Sequence, residues 1–211
     1  MAKPAVILDF GNVIGFFDHA RAYARFAARL GVESKDLREM LHERGFSALL
    51  ADFETGRVTS ADFARQTSAM IGLEIPQGEF ERDWADIFWP NESIVDVVTA
   101  LHDHGYPLAL GSNTNAIHAD WFRRQFAATL ARFDALVLSY QIGVMKPDAS
   151  FYQACTRALD RPVSDCVFVD DIAENVAGAR AAGLAALLYT STPRLVTGLA
   201  ALGIETIARN S

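Results

Sequence analysis

Five short runs of Val, Ile and Leu constrain the fold of this chain more than any other feature. Their apolar residues follow one another without alternation, a pattern typical of strands buried on both faces. The runs are Pro4 to Asp9, Tyr106 to Ser112, Ala135 to Ser139, Cys166 to Asp170 and Ala185 to Tyr189. Segments of helical period separate the later runs, around Ala116 to Leu130, Ala149 to Leu159 and Glu174 to Ala182. This alternation predicts an α/β fold with a doubly wound parallel sheet.

The connection between the first two runs is too long for a single crossover helix. It spans roughly a hundred residues, whereas one helix with its loops needs a few dozen at most. Within it, a stripe of apolar residues ends at Gly31, and the Thr59 hydroxyl is placed to cap a second helix. The stripe consists of Tyr23, Phe26, Ala27 and Leu30. We therefore predict a helical cap domain over residues 16–89, inserted into a Rossmann-like core of residues 1–15 and 90–211.

Composition limits the classes of function. At 51% hydrophobic and 21% charged residues, the 211-residue chain can build a core, and it has no apolar stretch long enough to span a bilayer. The net charge of −7, without a basic stripe, argues against nucleic acid as a partner. The two cysteines, Cys155 and Cys166, are expected to be buried thiols, and no export signal is visible. We expect a cytoplasmic protein that binds neither membrane nor nucleic acid; the sequence indicates no oligomeric state.

Polar side chains stand at the carboxyl ends of the predicted strands, where doubly wound sheets bind their ligands. Asp9 ends the first strand ahead of Gly11 and Asn12, and Ser112 with Asn113 ends the second. Taken alone, each has an ordinary structural role, because Asp and Ser-Asn are common in turns. The Ser112 hydroxyl and the neighbouring amides also suit an anionic oxygen.

The later part of the chain adds a cation and a pair of carboxylates. Lys146 precedes Pro147 where a helix begins, and Asp170 and Asp171 end the fourth strand side by side. Adjacent carboxylates repel one another unless a cation or protons compensate, so the pair indicates a metal ion. One crevice is thus predicted to receive a carboxylate, a hydroxyl, an ammonium and a carboxylate pair.

These motifs, in this order, resemble those of the haloacid dehalogenase superfamily of hydrolases. The resemblance rests on Ile7 to Ile14, Gly111 to Thr114, Met145-Lys146-Pro147, and Val169-Asp170-Asp171 with Asn175. It spans the whole chain, and the inserted helices are similar to the cap between the first two motifs of that superfamily. More narrowly, the chain resembles bacterial phosphatases that act on glucose 1-phosphate and the phosphatase domain of soluble epoxide hydrolase.

The resemblance implies a Mg²⁺-dependent phosphomonoester hydrolase that acts on a small phosphorylated metabolite, most simply a sugar phosphate. Asp9 would be the nucleophile and form an aspartyl phosphate, with Ser112 and Lys146 as further catalytic residues. The implied metal ligands are Asp9, the Gly11 carbonyl and Asp171, with Asp170 and Asn175 in or just outside the shell. The implied phosphate-binding residues are Phe10, Gly11, Asn12, Ser112, Asn113 and Lys146.

The sequence departs from this family at one position. Most phosphatases of the superfamily carry a second Asp, a general acid and base, two residues after the nucleophile, where this chain has Gly11. Dehalogenases of the superfamily also lack that residue, so a 2-haloacid dehalogenase and an inactive phosphate-binding relative stay open. The phosphatase is favoured because the Asp pair requires a cation, which dehalogenation does not need. Asp18 either replaces the missing acid or caps the helix that follows it.

Overall fold

The computed structural model describes residues 3–206. Five parallel strands form the main sheet in the order β5-β4-β1-β6-β7, and a separate antiparallel pair joins β2 to β3. The strands are β1 (Ala5–Leu8), β2 (Gly15–Phe17), β3 (Phe88–Pro90), β4 (Leu108–Ser112), β5 (Ala135–Leu138), β6 (Cys166–Asp170) and β7 (Ala185–Leu188). The predicted α/β fold with a parallel, doubly wound sheet is confirmed, and its five predicted strands are those of the main sheet.

Helices account for most of the remaining described chain. They are α1 (Ala20–Leu30), α2 (Ser34–Glu43), α3 (Phe46–Glu54), α4 (Ser60–Ile71), α5 (Gln77–Ala85), α6 (Glu92–Asp103), α7 (Ala116–Gln125), α8 (Ala127–Leu130), α9 (Ser139–Ile142), α10 (Ala149–Ala158), α11 (Ala173–Ala181) and α12 (Thr192–Ala201). A 3₁₀ turn, Val163–Asp165, precedes β6. Between residues 3 and 206, no helix has both the length and the apolar character needed to cross a membrane.

The sheet is covered on both faces, as the unbroken apolar runs predict. Val6 and Leu8 of β1 belong to a cluster with α6 and α12. Ala5 and Ile7 face the other way, into a second cluster with α10 and α11. Because successive strand residues point to opposite faces, both sets must be apolar for the strand to be buried. The consequence is a rigid central strand whose carboxyl end positions the residue that follows it, Asp9.

Helices α1 to α5 lie between β1 and β4, where the sequence predicted an inserted cap. Two local predictions are confirmed: Gly31 ends α1 with φ of 69°, and Thr59 Oγ1 accepts a hydrogen bond of 3.1 Å from Asp62 N. The sequence predicted that the whole insertion, residues 16–89, is helical, but its two ends are not. They pair as β2 and β3, because aromatic residues at both ends form one ribbon next to the main sheet. The domain division at 16–89 stays a prediction.

Two other elements differ from the sequence prediction. The helix predicted from Ala116 to Leu130 is broken into α7 and α8 at Phe126, which has φ of −108° and ψ of 22°. The Phe126 ring packs edge-on against Phe10, with centroids 5.1 Å apart, so tertiary packing outweighs local helical preference there. Helix α12 was not predicted. Cys155 and Cys166 are both buried and unpaired, as expected.

Helix α3 has a glycine in the left-handed region at each end. Gly45 precedes it with φ of +80° and has open space around the position of a Cβ. Gly56 follows it with φ of +71°, and a Cβ there would overlap the Tyr140 carbonyl oxygen of α9. The absence of a side chain at Gly56 therefore lets the end of α3 approach the backbone beside the main sheet.

We predict that Gly56→Ala destabilises the protein more than Gly45→Ala. Both substitutions place a Cβ at positive φ, at a cost of about 1–3 kcal/mol, but only the first also overlaps backbone atoms. Urea denaturation of both variants and the parent measures the difference. Equal losses at the two ends of α3 would show that the contact with Tyr140 contributes nothing.

Candidate active site

The strand ends of β1, β4 and β6 meet at one edge of the sheet, because neighbouring parallel strands end on the same side. Asp9 follows β1, and Asp170 is the last residue of β6. Asn12, at φ of 54°, turns the chain back and donates from Nδ2 to Asp171 Oδ2 at 2.9 Å. The structure therefore brings together the carboxylates that the sequence placed at separate strand ends.

Lys146 bridges the two buried carboxylates. Its Nζ lies 2.7 Å from Asp9 Oδ1 and 2.7 Å from Asp170 Oδ2, and it donates to Gly111 O at 3.0 Å. Its backbone is fixed by Asn113, whose amide group accepts from Lys146 N at 2.8 Å and donates to Lys146 O at 3.0 Å. The turn after β4 thus positions the cation between β1 and β6.

The two oxygens of Asp9 have different surroundings. Oδ1 accepts hydrogen bonds from Phe10 N at 2.7 Å and from Lys146, which fixes the carboxylate plane. Oδ2 accepts no hydrogen bond from any residue between 3 and 206, and it lies 3.8 Å from the Cβ position of Gly11. One oxygen is therefore anchored and the other is left for a ligand.

Burial and charge set the protonation of this pair. Burial raises the pKa of Asp9 to about 7, with Asp170 and Asp171 adding to the rise and Lys146 opposing it. Burial disfavours the Lys146 ammonium, but Asp9 and Asp170 reverse this and hold its pKa above the ordinary value. The group carries more negative than positive charge, so a further cation would stabilise it.

The donor set fits such a cation. Ligand oxygens of Asp9, Asp170 and Asp171 all lie within 4.8 Å of one another, and carboxylate oxygens are the ligands that Mg²⁺ prefers. Both oxygens of Asp170 already accept hydrogen bonds, from Lys146, from Ile172 N at 2.8 Å and from Asn175 Nδ2 at 3.1 Å. Asp9 and Asp171 therefore have the freer oxygens, and Asp170 is better suited to holding Lys146.

The predicted phosphate-binding residues divide into free and engaged donors. In the described chain, the N–H groups of Gly11 and Asn113 donate to no protein atom, and the Ser112 hydroxyl makes only a 3.4 Å contact with Asn113 O. Phe10 N donates to Asp9, and Asn12 N donates to Gly15 O at 2.8 Å. Unpaired backbone donors are rare in folded proteins, so the free set indicates a place for an anion.

A pocket of about 120 Å³ lies against these donors, between the sheet edge and the inserted helices. Its walls are formed by Phe10, Gly11, Phe17, His19, Glu54, Ile87, Phe88, Ser112, Asn113, Thr114 and His118. Asp18 is exposed and accepts from Ala20 N at 2.8 Å, so it caps the start of α1 and does not line this pocket. Glu54 was missed by the sequence analysis, because it belongs to no recognisable motif.

A family model for haloacid dehalogenase-like hydrolases matches residues 5–183. The chain belongs to this family. It is 28% identical over 180 residues to the D-ribitol-5-phosphate phosphatase of Bacteroides thetaiotaomicron, covering 81% of this chain and 84% of that protein. It is 27% identical over 165 residues to a sesquiterpene phosphatase of Aspergillus oryzae, covering 76% and 80%.

Solved structures support the same fold. A haloacid dehalogenase family enzyme from Bacteroides thetaiotaomicron, crystallised with magnesium and inorganic phosphate, superposes with a TM-score of 0.76. The match covers 89% of this chain and 94% of that one at 20% identity, which establishes the fold alone. The expected superfamily is thus confirmed, and the names of the two curated relatives support the expected class of enzyme, a phosphatase.

We predict that Lys146→Met destabilises the protein by about 3–5 kcal/mol, because it leaves Asp9 and Asp170 buried without their cation. Urea denaturation without divalent cations measures the loss. Lys35→Met is the control. That lysine is exposed, and its 3.7 Å ion pair with Glu39 is surrounded by water, so the substitution should leave stability unchanged. A Lys146→Met protein as stable as the parent would mean that the two carboxylates do not need the ammonium.

Proposed function

We propose that the protein is a Mg²⁺-dependent phosphomonoester hydrolase that acts through an aspartyl phosphate on Asp9. The observation that carries the proposal is the asymmetry of this carboxylate: Oδ1 is anchored by Phe10 N and Lys146, while Oδ2 accepts no hydrogen bond from the described residues. A fixed carboxylate with one free oxygen beside unpaired N–H donors suits attack on a bound phosphoryl group.

The chain's own residues would perform the transfer as follows. The N–H groups of Gly11 and Asn113 and the hydroxyl of Ser112 hold phosphoryl oxygens. Asp9 Oδ2 attacks phosphorus, the bond from phosphorus to the leaving oxygen breaks, and an aspartyl phosphate forms. Lys146 offsets negative charge on Asp9 and on the phosphoryl group. Water then attacks phosphorus, which releases inorganic phosphate and restores the carboxylate.

Mg²⁺ would be held by Asp9, Asp171 and the Gly11 carbonyl, with Asp170 and Asn175 just outside. When bound, it offsets the repulsion between an anionic substrate and the carboxylates. The proposal is supported by the short distances among these oxygens, by the excess of negative charge, and by the magnesium bound in the structurally similar enzyme.

The proposed substrate is a small phosphorylated metabolite of the cytoplasm, most simply a sugar phosphate. The pocket is small, at about 120 Å³, and one relative is named for a five-carbon sugar alcohol phosphate. A phosphate-release screen over small phosphorylated metabolites, with and without Mg²⁺, tests the proposal. Halide release from a 2-haloacid without added cation would instead support the dehalogenase, and phosphate binding without turnover would support an inactive relative.

We predict that Asp9→Asn lowers phosphate release by more than about 10³-fold, because an amide cannot act as the nucleophile. The assay is steady-state release of phosphate from the best substrate of the screen. Asp18→Asn makes the same chemical change nine residues further on, at the cap of α1, and should retain the parent's activity. If Asp9→Asn releases phosphate at a rate within tenfold of the parent's, Asp9 is not the nucleophile.

We predict that a chelator abolishes activity and that Mg²⁺ restores it, because the carboxylates of Asp9, Asp170 and Asp171 converge while Lys146 pairs with only the first two. Asp171→Asn should raise the Mg²⁺ concentration needed for half-maximal activity at least tenfold. Asp165→Asn, at the opposite end of β6, should not change it. Undiminished phosphate release after exhaustive chelation would contradict the metal requirement.

A further inference from the structure

The position of the missing acid is filled by an aromatic ring. A Cβ added to Gly11 would lie 2.8 Å from Cε1 of Phe17 and 3.8 Å from Asp9 Oδ2. A carboxylate at position 11 would therefore displace Phe17, which sits in β2 and lines the pocket. The first residues of the insertion thus occupy the space beside the nucleophile, and a proton donor has to come from another wall.

Glu54 is the carboxylate on that other wall. Among the residues that line the pocket it alone is acidic, and it is the last residue of α3. It is half-buried, and within residues 3–206 no hydrogen bond or ion pair involves its side chain. The close approach of Gly56 to Tyr140 holds this end of α3 against the backbone beside the main sheet. A carboxyl group without a structural partner thus lines the same pocket as the phosphate donors.

The other titratable groups near the pocket are less suited to giving up a proton. Burial lowers the pKa of His118 to about 3, and its ring nitrogens contact Asn115 Nδ2 at 3.1 Å and Trp84 O at 3.2 Å. Burial also lowers the pKa of His19, so this ring is neutral. Lys146 is held by two carboxylates and a carbonyl. In contrast, burial raises the pKa of Glu54 to about 7, so it stays protonated far above the ordinary range of a carboxyl group.

We propose that Glu54 is the general acid and base of this enzyme and takes the place left by Gly11. The inference depends on the phosphatase function proposed above. As the bond from phosphorus to the leaving oxygen breaks, the Glu54 carboxyl gives its proton to that oxygen, and the alcohol departs neutral. The resulting carboxylate then takes a proton from the attacking water, whose oxygen bonds to phosphorus while Asp9 leaves. Both protons are accounted for, and Glu54 returns to its acid form.

Leaving groups of matched size distinguish this role from a structural one. p-Nitrophenolate departs without a proton, whereas the alkoxide of benzyl phosphate needs one. We expect Glu54→Gln to lower kcat/KM about 10²- to 10⁴-fold on benzyl phosphate and less than about tenfold on p-nitrophenyl phosphate. Phenyl phosphates with intermediate leaving groups should fall between the two. The value of kcat/KM is used because it reports the first bond cleavage and excludes the later hydrolysis.

A second measurement tests the base role. With p-nitrophenyl phosphate, Glu54→Gln should release one equivalent of nitrophenol rapidly and accumulate phosphorylated Asp9, because only the hydrolysis of the intermediate still needs the base. The control is Asp52→Asn, on the same helix but paired with Arg57 at 2.8 Å, which should behave as the parent. Glu54→Asp should recover part of the activity on benzyl phosphate.

Three results would overturn the proposal. If Glu54→Gln lowers kcat/KM equally on benzyl and p-nitrophenyl phosphate, Glu54 is a positioning residue. If it leaves kcat/KM on benzyl phosphate unchanged, Glu54 takes no part in the reaction. Folded parent protein that releases phosphate neither from this series nor from any metabolite of the screen would refute the phosphatase function itself, and this inference with it. Asp9→Asn separates these cases, because it should abolish turnover of every substrate that the parent hydrolyses.

Discussion

The contact of Lys146 with Asp9 and Asp170 organises the whole sheet edge. Lys146 is 5% exposed, and Asp9 and Asp170 are 6% and 0% exposed, so all three charges have lost most of their hydration. Such burial is tolerated only where the partners are close and the remaining polar atoms are bonded, as Gly111 O, Phe10 N and Asn175 ensure here. The ends of β1 and β6 are therefore fixed relative to each other by charge as well as by strand pairing.

The residues of this edge could be predicted because each is fixed by a local signal. Asp9, Ser112 and Asp170 directly follow or end unbroken apolar runs, and parallel topology then brings the strand ends together whatever lies between them. The same signals predicted the five strands of the main sheet. They could not show which oxygen of Asp9 is free or that the Phe10 amide is already engaged, because both depend on how the Asp9 carboxylate is oriented between Phe10 N and Lys146.

The insertion was predictable as helices but not as a wall of the site. Its ends pair as β2 and β3 through three residues each, too few for a recognisable strand pattern. Glu54 looks like an ordinary polar residue at a helix end, and only the packing of α3 through Gly56 places it in the pocket. The sequence left Asp18 as either the substitute for the missing acid or a helix cap, and in the structure it is exposed and accepts from the first N–H of α1.

Placing the acid on the insertion and the nucleophile on the sheet has a chemical consequence. Asp9 and its phosphate donors are built by the main sheet, so phosphoryl binding needs no contribution from α3. A proton on Glu54, in contrast, reaches the leaving oxygen only when α3 stands opposite the sheet edge and the pocket between them is filled by the rest of the substrate. The part of the substrate that contacts the insertion therefore contributes to bond cleavage as well as to binding. Poor leaving groups depend on this arrangement most, because the proton is needed in the transition state and not before it.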